Sequence, residues 1–167
     1  MKHTLISTAA VVLFTAFGAA HAEDPKATIA DLDARLAKIG AAKLDGTEKV
    51  GEKTVPALYF GERKINNNYD VVDAVRKAHN ATATATATVF VKDGDEFVRV
   101  STNVLTPEGK RGVGTELARN KAYEAVIVGS QYCGPIDVLG TAFDACYNPI
   151  KDASGKLISV SYIGHKK

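Results

Sequence analysis

The sequence has few of the residues from which metal and redox centres are built. It contains two cysteines and four histidines, and only His79 and His165 lie beyond the N-terminal segment. Zinc sites need several such ligands at short spacing, and neither histidine forms a pattern with the cysteines. The redox spacing C-x-x-C and the haem-attachment spacing C-x-x-C-H are also absent. We therefore expect no metal and no cofactor.

Signatures of the common enzyme classes are missing as well. The sequence has no nucleophile-elbow serine, no phosphate-binding loop and no evident Cys-His pairing. Nothing marks two of its carboxylates as an acid–base pair. A net charge of +2 gives no reason to expect nucleic acid as a partner. We predict that the protein is not an enzyme and has no catalytic residues.

Long apolar runs are absent except at the N-terminus. Lys2 precedes an uncharged stretch from Thr4 to Ala20, and Ala20-His21-Ala22 forms an A-x-A site. This pattern predicts a signal peptide over residues 1–22, cleaved after Ala22, and a periplasmic or secreted mature protein over residues 23–167. An uncleaved membrane anchor is the alternative, because the apolar run is nearly long enough to span a bilayer.

The remaining chain is rich enough in apolar residues to form one folded domain. Hydrophobic residues make up 46% of the 167 residues, which is typical of a chain with a packed core. Helical spacing predicts a first helix that Thr28 caps and that ends at Gly40 or at Asp45-Gly46. A second helix is predicted over residues 70–78, and a third between Asn120 and Gly129. Residues 47–68 are predicted to be irregular.

Strict alternation predicts a β-hairpin over residues 81–102. Asp93-Gly94 is a turn signal, and a turn closed there places Phe90 opposite Phe97. Phe97, Arg99 and Ser101 then share one face of their strand. The Ala-Thr repeat at residues 81–88 receives no chemical role. With a final strand at residues 157–163, the order of elements predicts an antiparallel α+β fold.

The two cysteines flank a second hairpin. Taking Leu139-Gly140 as a two-residue turn places Cys133 opposite Cys146 in a non-hydrogen-bonded pair, whose Cα atoms lie close enough to be bridged. In an exported protein this favours a disulfide, with two free thiols or a catalytic or metal-bound role as the alternatives. The same register places Tyr132 opposite Tyr147 on the other face, where they either line a pocket or are ordinary core residues.

Between Ala57 and Gly164 the sequence resembles the single Cache domains of bacterial extracytoplasmic sensing, above all the type-3 group and Cache 3–Cache 2 fusion-like domains. The segments that carry the resemblance are ALYFGERKINNNYDVVDAV, ATVFVKDGDEFVRVSTNV, GKRGVGTEL, QYCGPIDVLGTAFDACYNPIKD and GKLISVSYIG. The resemblance implies a PAS-like fold, in which a long N-terminal helix packs on one face of a five-stranded antiparallel sheet. A pocket for a small molecule, often an organic or amino acid, lies on the other face.

The resemblance also implies a set of ligand-binding residues. By position, Arg99, Arg111, Tyr132 and Tyr147 are the candidates, with Phe97 and Ser101 on the strand face of Arg99. A small carboxylate needs a cation with paired planar donors, which an arginine supplies. The alternative for Arg99 is a surface arginine on an exposed strand face, and for Arg111 a solvated charge in a turn.

The sequence is compatible with two functions. No transmembrane helix, HAMP segment, kinase or methyl-accepting region follows the matching residues. We therefore expect a free-standing sensory domain that binds an organic acid and signals through a partner, such as a membrane receptor or a kinase. The alternative is a structural or protein-interaction module that docks on a receptor without a ligand of its own. Arg99 pointing to solvent would favour that alternative.

Overall fold

The structure is a computed structural model that describes residues 24–79 and 84–167. The predicted signal peptide and part of the Ala-Thr repeat lie outside the described residues. The elements in chain order are α1 (Pro25–Ile39), β1 (Ala42–Val50), β2 (Lys53–Phe60), β3 (Arg63–Lys64), α2 (Asp70–Ala78), β4 (Ala85–Asp93), β5 (Glu96–Thr102), α3 (Lys121–Ile127), β6 (Tyr132–Val138), β7 (Thr141–Lys151) and β8 (Leu157–Lys166). Within the described ranges, no helix has the length and hydropathy needed to cross a membrane.

Two antiparallel sheets organise the chain. The central sheet has five strands in the order β5-β4-β8-β7-β6, and the small sheet has the order β1-β2-β3. The helix α1 packs on one face of the central sheet, which we call the helix face. The opposite face, covered by α3, carries most of the buried aromatic rings, and we call it the aromatic face. The predicted α+β fold with a five-stranded antiparallel sheet is confirmed.

The helix α1 begins earlier than predicted. Asp24 is its N-cap and accepts a hydrogen bond from the backbone N–H of Lys26, and Pro25 occupies the first turn. Thr28 is therefore an internal residue of the helix rather than its cap. The helix ends before Gly40, as predicted, and a Cβ on Gly40 would lie only 2.5 Å from the Cα of Gly61. Only glycine permits this approach.

The prediction that residues 47–68 are irregular is wrong. They contain β2 and β3 and the end of β1, which pair as the small sheet. The β1 strand shows no hydrophobic alternation, because only Ala42 and Val50 are buried. Pro56 is tolerated in β2 because it pairs with Thr47, next to the irregularity between Leu44 and Thr47 in β1.

The predicted register of the β4–β5 hairpin is also wrong. Asp93 pairs with Glu96, so the turn is formed by Gly94 and Asp95, and Phe90 lies opposite Arg99 rather than Phe97. Because the pairing is shifted by two residues, the side chains near the turn stay on their predicted faces. Beyond Arg99, however, an irregularity leaves Val100 without a partner in β4, and the residues after it change faces.

This irregularity moves Ser101 away from the face of Arg99. Ser101 pairs with Val89 of the helix face, and its hydroxyl donates to the backbone carbonyl of Asn68 at 2.6 Å. Thr102 takes the position on the aromatic face, with its hydroxyl 2.6 Å from that of Thr88. The predicted grouping of Phe97, Arg99 and Ser101 therefore holds only for the first two.

The predicted cysteine hairpin is confirmed. Leu139 and Gly140 form the turn with φ of 52° and 81°, as a type I′ turn requires at both positions. Cys133 pairs with Cys146 in a disulfide whose Cα atoms lie 4.2 Å apart. The β8 strand extends three residues beyond the predicted end, and the predicted second and third helices are present.

Candidate functional site

A row of hydroxyl-bearing side chains crosses the aromatic face. Through the strand register, Thr88, Tyr162, Tyr147 and Tyr132 lie side by side on β4, β8, β7 and β6. The ring centroids of Tyr147 and Tyr162 are 4.8 Å apart, and those of Tyr132 and Tyr147 are 6.3 Å apart. Tyr147 and Tyr162 are each 1% exposed. The predicted pairing of Tyr132 with Tyr147, away from the disulfide, is confirmed.

Small residues make room for two of these phenols. A Cβ at Gly164 would lie 2.0 Å from the Tyr162 hydroxyl, and one at Gly134 would lie 3.1 Å from the Tyr132 hydroxyl. The Tyr162 hydroxyl lies 3.2 Å from the hydroxyl of Thr86. The Tyr132 hydroxyl donates to the carbonyl of Pro135 at 2.8 Å. Tyr132 is thus bound to its own strand at the rim of the row.

Arg99 lies on the aromatic face as a buried cation, with 3% of its surface exposed. Its Nη1 donates to the Thr115 hydroxyl at 2.9 Å and to the Glu116 carbonyl at 2.8 Å. Its guanidinium carbon lies 4.9 Å from the centroid of the Phe90 ring. Its Nε is buried and has no hydrogen-bond partner among the described residues. A surface arginine, the alternative interpretation of the sequence, is therefore excluded.

The charge of Arg99 has no counterion in the part of the chain that the structure describes. None of the ion pairs there includes it. Burial lowers the pKa of the guanidinium, and the neighbouring Tyr147 and Tyr162 oppose that shift. Arginine nevertheless remains charged in proteins. An unpaired buried charge is costly, so this arrangement favours an anion beside it.

The two neighbouring phenols stay neutral. Burial raises the pKa of Tyr147 and of Tyr162 well above the ordinary tyrosine value. Both hydroxyls therefore keep their protons at neutral pH, so they can act as hydrogen-bond donors and do not neutralise Arg99.

A glycine-rich loop, residues 112–117, holds Arg99 in place. The loop runs along the free edge of β5, where the Arg99 N–H donates to the Thr115 carbonyl and the Gly114 N–H donates to the Arg99 carbonyl, both at 2.9 Å. Gly114 has a φ of 81°, and a Cβ there would lie 2.8 Å from the Val50 carbonyl oxygen. The Glu116 side chain pairs with Lys53 of β2. The loop thus connects Arg99 to the small sheet.

Arg111 is engaged elsewhere. Both of its terminal nitrogens donate to the carboxylate of Asp73 in α2, each at 2.8 Å, and Nη1 also donates to the Thr102 carbonyl at 2.9 Å. The guanidinium carbon lies 4.5 Å from the Tyr69 ring centroid. The hydrogen bond with Asp73 raises the pKa of Arg111. Arg111 therefore joins its loop to α2. The alternative interpretation, a solvated charge in a turn, does not describe it.

Three of the six predicted ligand-binding residues are brought together. Arg99, Phe97 and Tyr147 share the aromatic face, where Phe97 also packs edge-on against Tyr123 of α3 with centroids 6.0 Å apart. Tyr132 lies at its rim, and Ser101 and Arg111 make contacts elsewhere. The prediction missed Tyr162. The alternation in SVSYIG indicated a strand, but it did not show which residues of other strands would lie beside Tyr162.

One cavity of about 320 Å³ opens at the end of the aromatic face. Thr86, Val104, Val138 and Phe143 form its inner wall, and Arg76 and Lys166 lie among its polar residues. Because the Thr86 hydroxyl also touches Tyr162, the cavity reaches the row of tyrosines from one side.

The acidic, histidine and cysteine side chains of the described residues do not form a metal site. Over residues 24–79 and 84–167, no group of three or more His, Cys, Asp or Glu side chains is placed to hold a metal ion. Both cysteines are joined in the disulfide. What the site offers to a ligand is one cation, neutral hydroxyls and aromatic surface.

A family model, described as the Cache 3/Cache 2 fusion domain, matches residues 22–167. The match extends beyond the resemblance between Ala57 and Gly164 and takes in α1 and β1 as well. No curated protein and no solved structure matches the chain.

Proposed function

We propose that this chain, which belongs to the Cache 3/Cache 2 fusion family, binds a small organic acid at Arg99 on the aromatic face. Cache domains are sensory domains that bind small molecules and usually belong to signalling receptors outside the cytoplasm. In this proposal the domain is not an enzyme. It reports its ligand to a membrane receptor or a kinase.

The observation that carries this proposal is the state of Arg99. Within residues 24–79 and 84–167, the buried guanidinium has no counterion and its Nε has no partner, which is an unfavourable arrangement for a charged group. A carboxylate beside it would supply both the missing charge and a hydrogen-bond acceptor. The free energy lost by burying Arg99 is then recovered when the ligand binds.

The same observation weighs against the protein-interaction module. Such a module has no need for a cation inside the protein, and its docking residues would point to solvent. Arg99 instead is buried, and the glycine-rich loop accepts hydrogen bonds from its guanidinium. We therefore favour ligand binding over docking as the primary function.

Export also forms part of the proposal. A disulfide is typical of proteins that fold in an oxidising compartment such as the periplasm, and Cys133 and Cys146 form one. Together with the predicted cleavage after Ala22, this supports a periplasmic or secreted protein.

A thermal-shift screen of the purified protein against organic acids, amino acids, amines and nucleobases tests the function. We expect organic acids to raise the unfolding midpoint in a concentration-dependent way. At about 1.5 kcal/mol per heavy atom, an acetate-sized ligand reaches a Kd of about tens of micromolar at best, so millimolar concentrations are needed.

Arg99→Ala should abolish this shift while the protein remains folded, because it removes the cation. Arg63→Ala is the matched control, since Arg63 forms an exposed pair with Asp70 far from the sheet's aromatic face. If Arg99→Ala still binds the ligand, Arg99 is not part of the binding site. A screen in which no compound shifts the midpoint would favour the interaction module instead.

A further inference from the structure

The hydrogen bonds of Arg99 leave one edge of its guanidinium available. A guanidinium can bind a carboxylate through two donors at once, either end-on through Nη1 and Nη2 or side-on through Nε and Nη2. Thr115 and Glu116 already accept from Nη1. The end-on edge is therefore occupied by the loop, and Nε is the buried donor without a partner.

The aromatic face also limits the charge that a ligand can carry. Arg99 is the one Lys, Arg, Asp or Glu residue that is almost completely buried in the described part of the chain. It can neutralise one carboxylate. A second carboxylate held beside the rings of Phe90, Tyr147 and Tyr162 would have to share that one buried cation, and burying an unpaired charge is costly. Arg76 and Lys166 line the cavity at the end of the face instead.

We propose that the ligand is a monocarboxylate that binds side-on to the Nε–Nη2 edge of Arg99, with an uncharged body against the phenols of Tyr147 and Tyr162. This inference rests on the proposed function, because it specifies the acid that Arg99 binds. Side-on binding leaves both bonds from Nη1 to the glycine-rich loop intact. Ligand and loop therefore hold the guanidinium from opposite sides, with Phe90 against its plane.

Calorimetry with matched pairs of acids tests the charge limit. Butyrate and succinate share a chain length, and benzoate and phthalate share a ring, so each pair differs by one carboxylate. At neutral pH we expect at least one monocarboxylate to bind about tenfold or more tightly than its dicarboxylate partner. Equal or tighter binding of the dicarboxylate in both pairs would overturn the inference, and so would a lack of binding by all four acids.

The proposed function can survive that failure, and the Arg99 variants show whether it does. Dicarboxylate binding that Arg99→Ala abolishes would leave an anion site at Arg99 but reject the monocarboxylate. Arg99→Lys keeps the charge without the two-donor edge, so we expect it to lose about tenfold or more in monocarboxylate affinity. Unchanged affinity in Arg99→Lys would overturn side-on binding.

The ¹⁵N resonance of the Arg99 Nε gives a readout that does not depend on how well the variants fold. We expect butyrate or benzoate, whichever binds, to shift this resonance in the wild-type protein. The same acid should also shift it in Thr115→Val, in which Nη1 loses one loop acceptor and the side-on edge is unchanged. Binding that leaves the Nε resonance unmoved would place the carboxylate elsewhere and refute the inference.

Discussion

The two faces of the central sheet bury polar groups in different ways. On the helix face, the carboxylate of Asp33 in α1 accepts hydrogen bonds from Ser161 and Asn148, both at 2.5 Å, so each of its oxygens has a partner. On the aromatic face, Arg99 has a buried Nε without a partner and a charge without a counterion in the part of the chain that the structure describes.

This difference separates residues that hold the fold from residues available for a ligand. Buried polar groups in native proteins are normally satisfied, so an unsatisfied one calls for a specific explanation. The helix face combines aliphatic packing with satisfied polar groups and is expected to determine stability. The aromatic face is expected to determine binding. Four variants test this division between the two faces.

The largest effect is expected from the packing of α1 on the helix face. Leu32 is 0% exposed, and Leu32→Ala should lower the free energy of unfolding by about 2–5 kcal/mol, because it leaves a cavity. Ligand affinity should stay unchanged. Urea denaturation and calorimetry measure the two quantities, with the exposed Lys38→Ala as the control. A loss of affinity in folded Leu32→Ala protein would contradict the separation of the faces.

The disulfide should affect stability and binding together. It closes a loop with a sequence separation of 13, and opening it should cost about 3 kcal/mol in the chain-entropy model. Because β6 also carries Tyr132, the reduced protein should bind its ligand more weakly. The measurement compares wild type with a Cys133→Ser/Cys146→Ser variant. An unchanged unfolding midpoint and affinity would rule out the disulfide as a structural link.

A smaller, pH-dependent effect is expected at Asp33. Burial raises its pKa above the ordinary value of 3.8, although Ser161 and Asn148 oppose the shift. The folded state then holds the Asp33 proton to a higher pH than the unfolded state does. Its contribution to stability is therefore greatest below about pH 4 and falls as the pH rises through the folded-state pKa.

Asp33→Asn removes this titration. Urea denaturation across acidic to neutral pH should show that wild type loses stability relative to Asp33→Asn as the pH rises. A difference between the two proteins that is constant with pH, or that changes in the opposite direction, would show that the pKa of Asp33 is not raised. The exposed Lys38→Ala variant, in the same helix, controls for general pH effects.

The smallest effect is expected at Arg111. Its ion pair with Asp73 is partly exposed, with 35% and 45% of the two side chains accessible, and such pairs contribute about 0–1 kcal/mol. Arg111→Ala should lower the unfolding free energy by no more than about that amount. It should also leave ligand affinity unchanged, because Asp73 already holds the guanidinium. A loss of binding as large as in Arg99→Ala would show that Arg111 belongs to the ligand-binding site.

Local signals were sufficient for the cysteine hairpin but not for the β4–β5 hairpin. Leu139-Gly140 fits a two-residue turn at one position only. That position fixes the register of the hairpin and therefore the pairing of Cys133 with Cys146. Near Gly94, two turn positions fit the same residues, and the register was predicted two residues away from the observed one. The irregularity at Val100 has no local signal, and it moves Ser101 to the other face.

The small sheet shows a different reason for a failed prediction. Its strand β1 is mostly exposed and polar, so the hydrophobic alternation that marks a strand is absent. Pro56 lies in β2 beside an irregularity of the partner strand, where a proline is tolerated. These strands form because α1, α2 and the central sheet provide a surface for their buried residues.

Elements that depend on near neighbours in the chain could be predicted from local patterns. Helical spacing predicted α1, a capping asparagine and a terminal glycine predicted α3, the turn at Leu139 predicted the disulfide, and alternation placed Arg99 on the face of Phe97. Three outcomes appear only in the folded protein: Arg99 is buried without a counterion among the described residues, Asp73 forms an ion pair with Arg111, and Tyr162 lies beside Tyr147. These three outcomes join residues that are distant in the chain, so they depend on sheet register and packing, which no local pattern specifies.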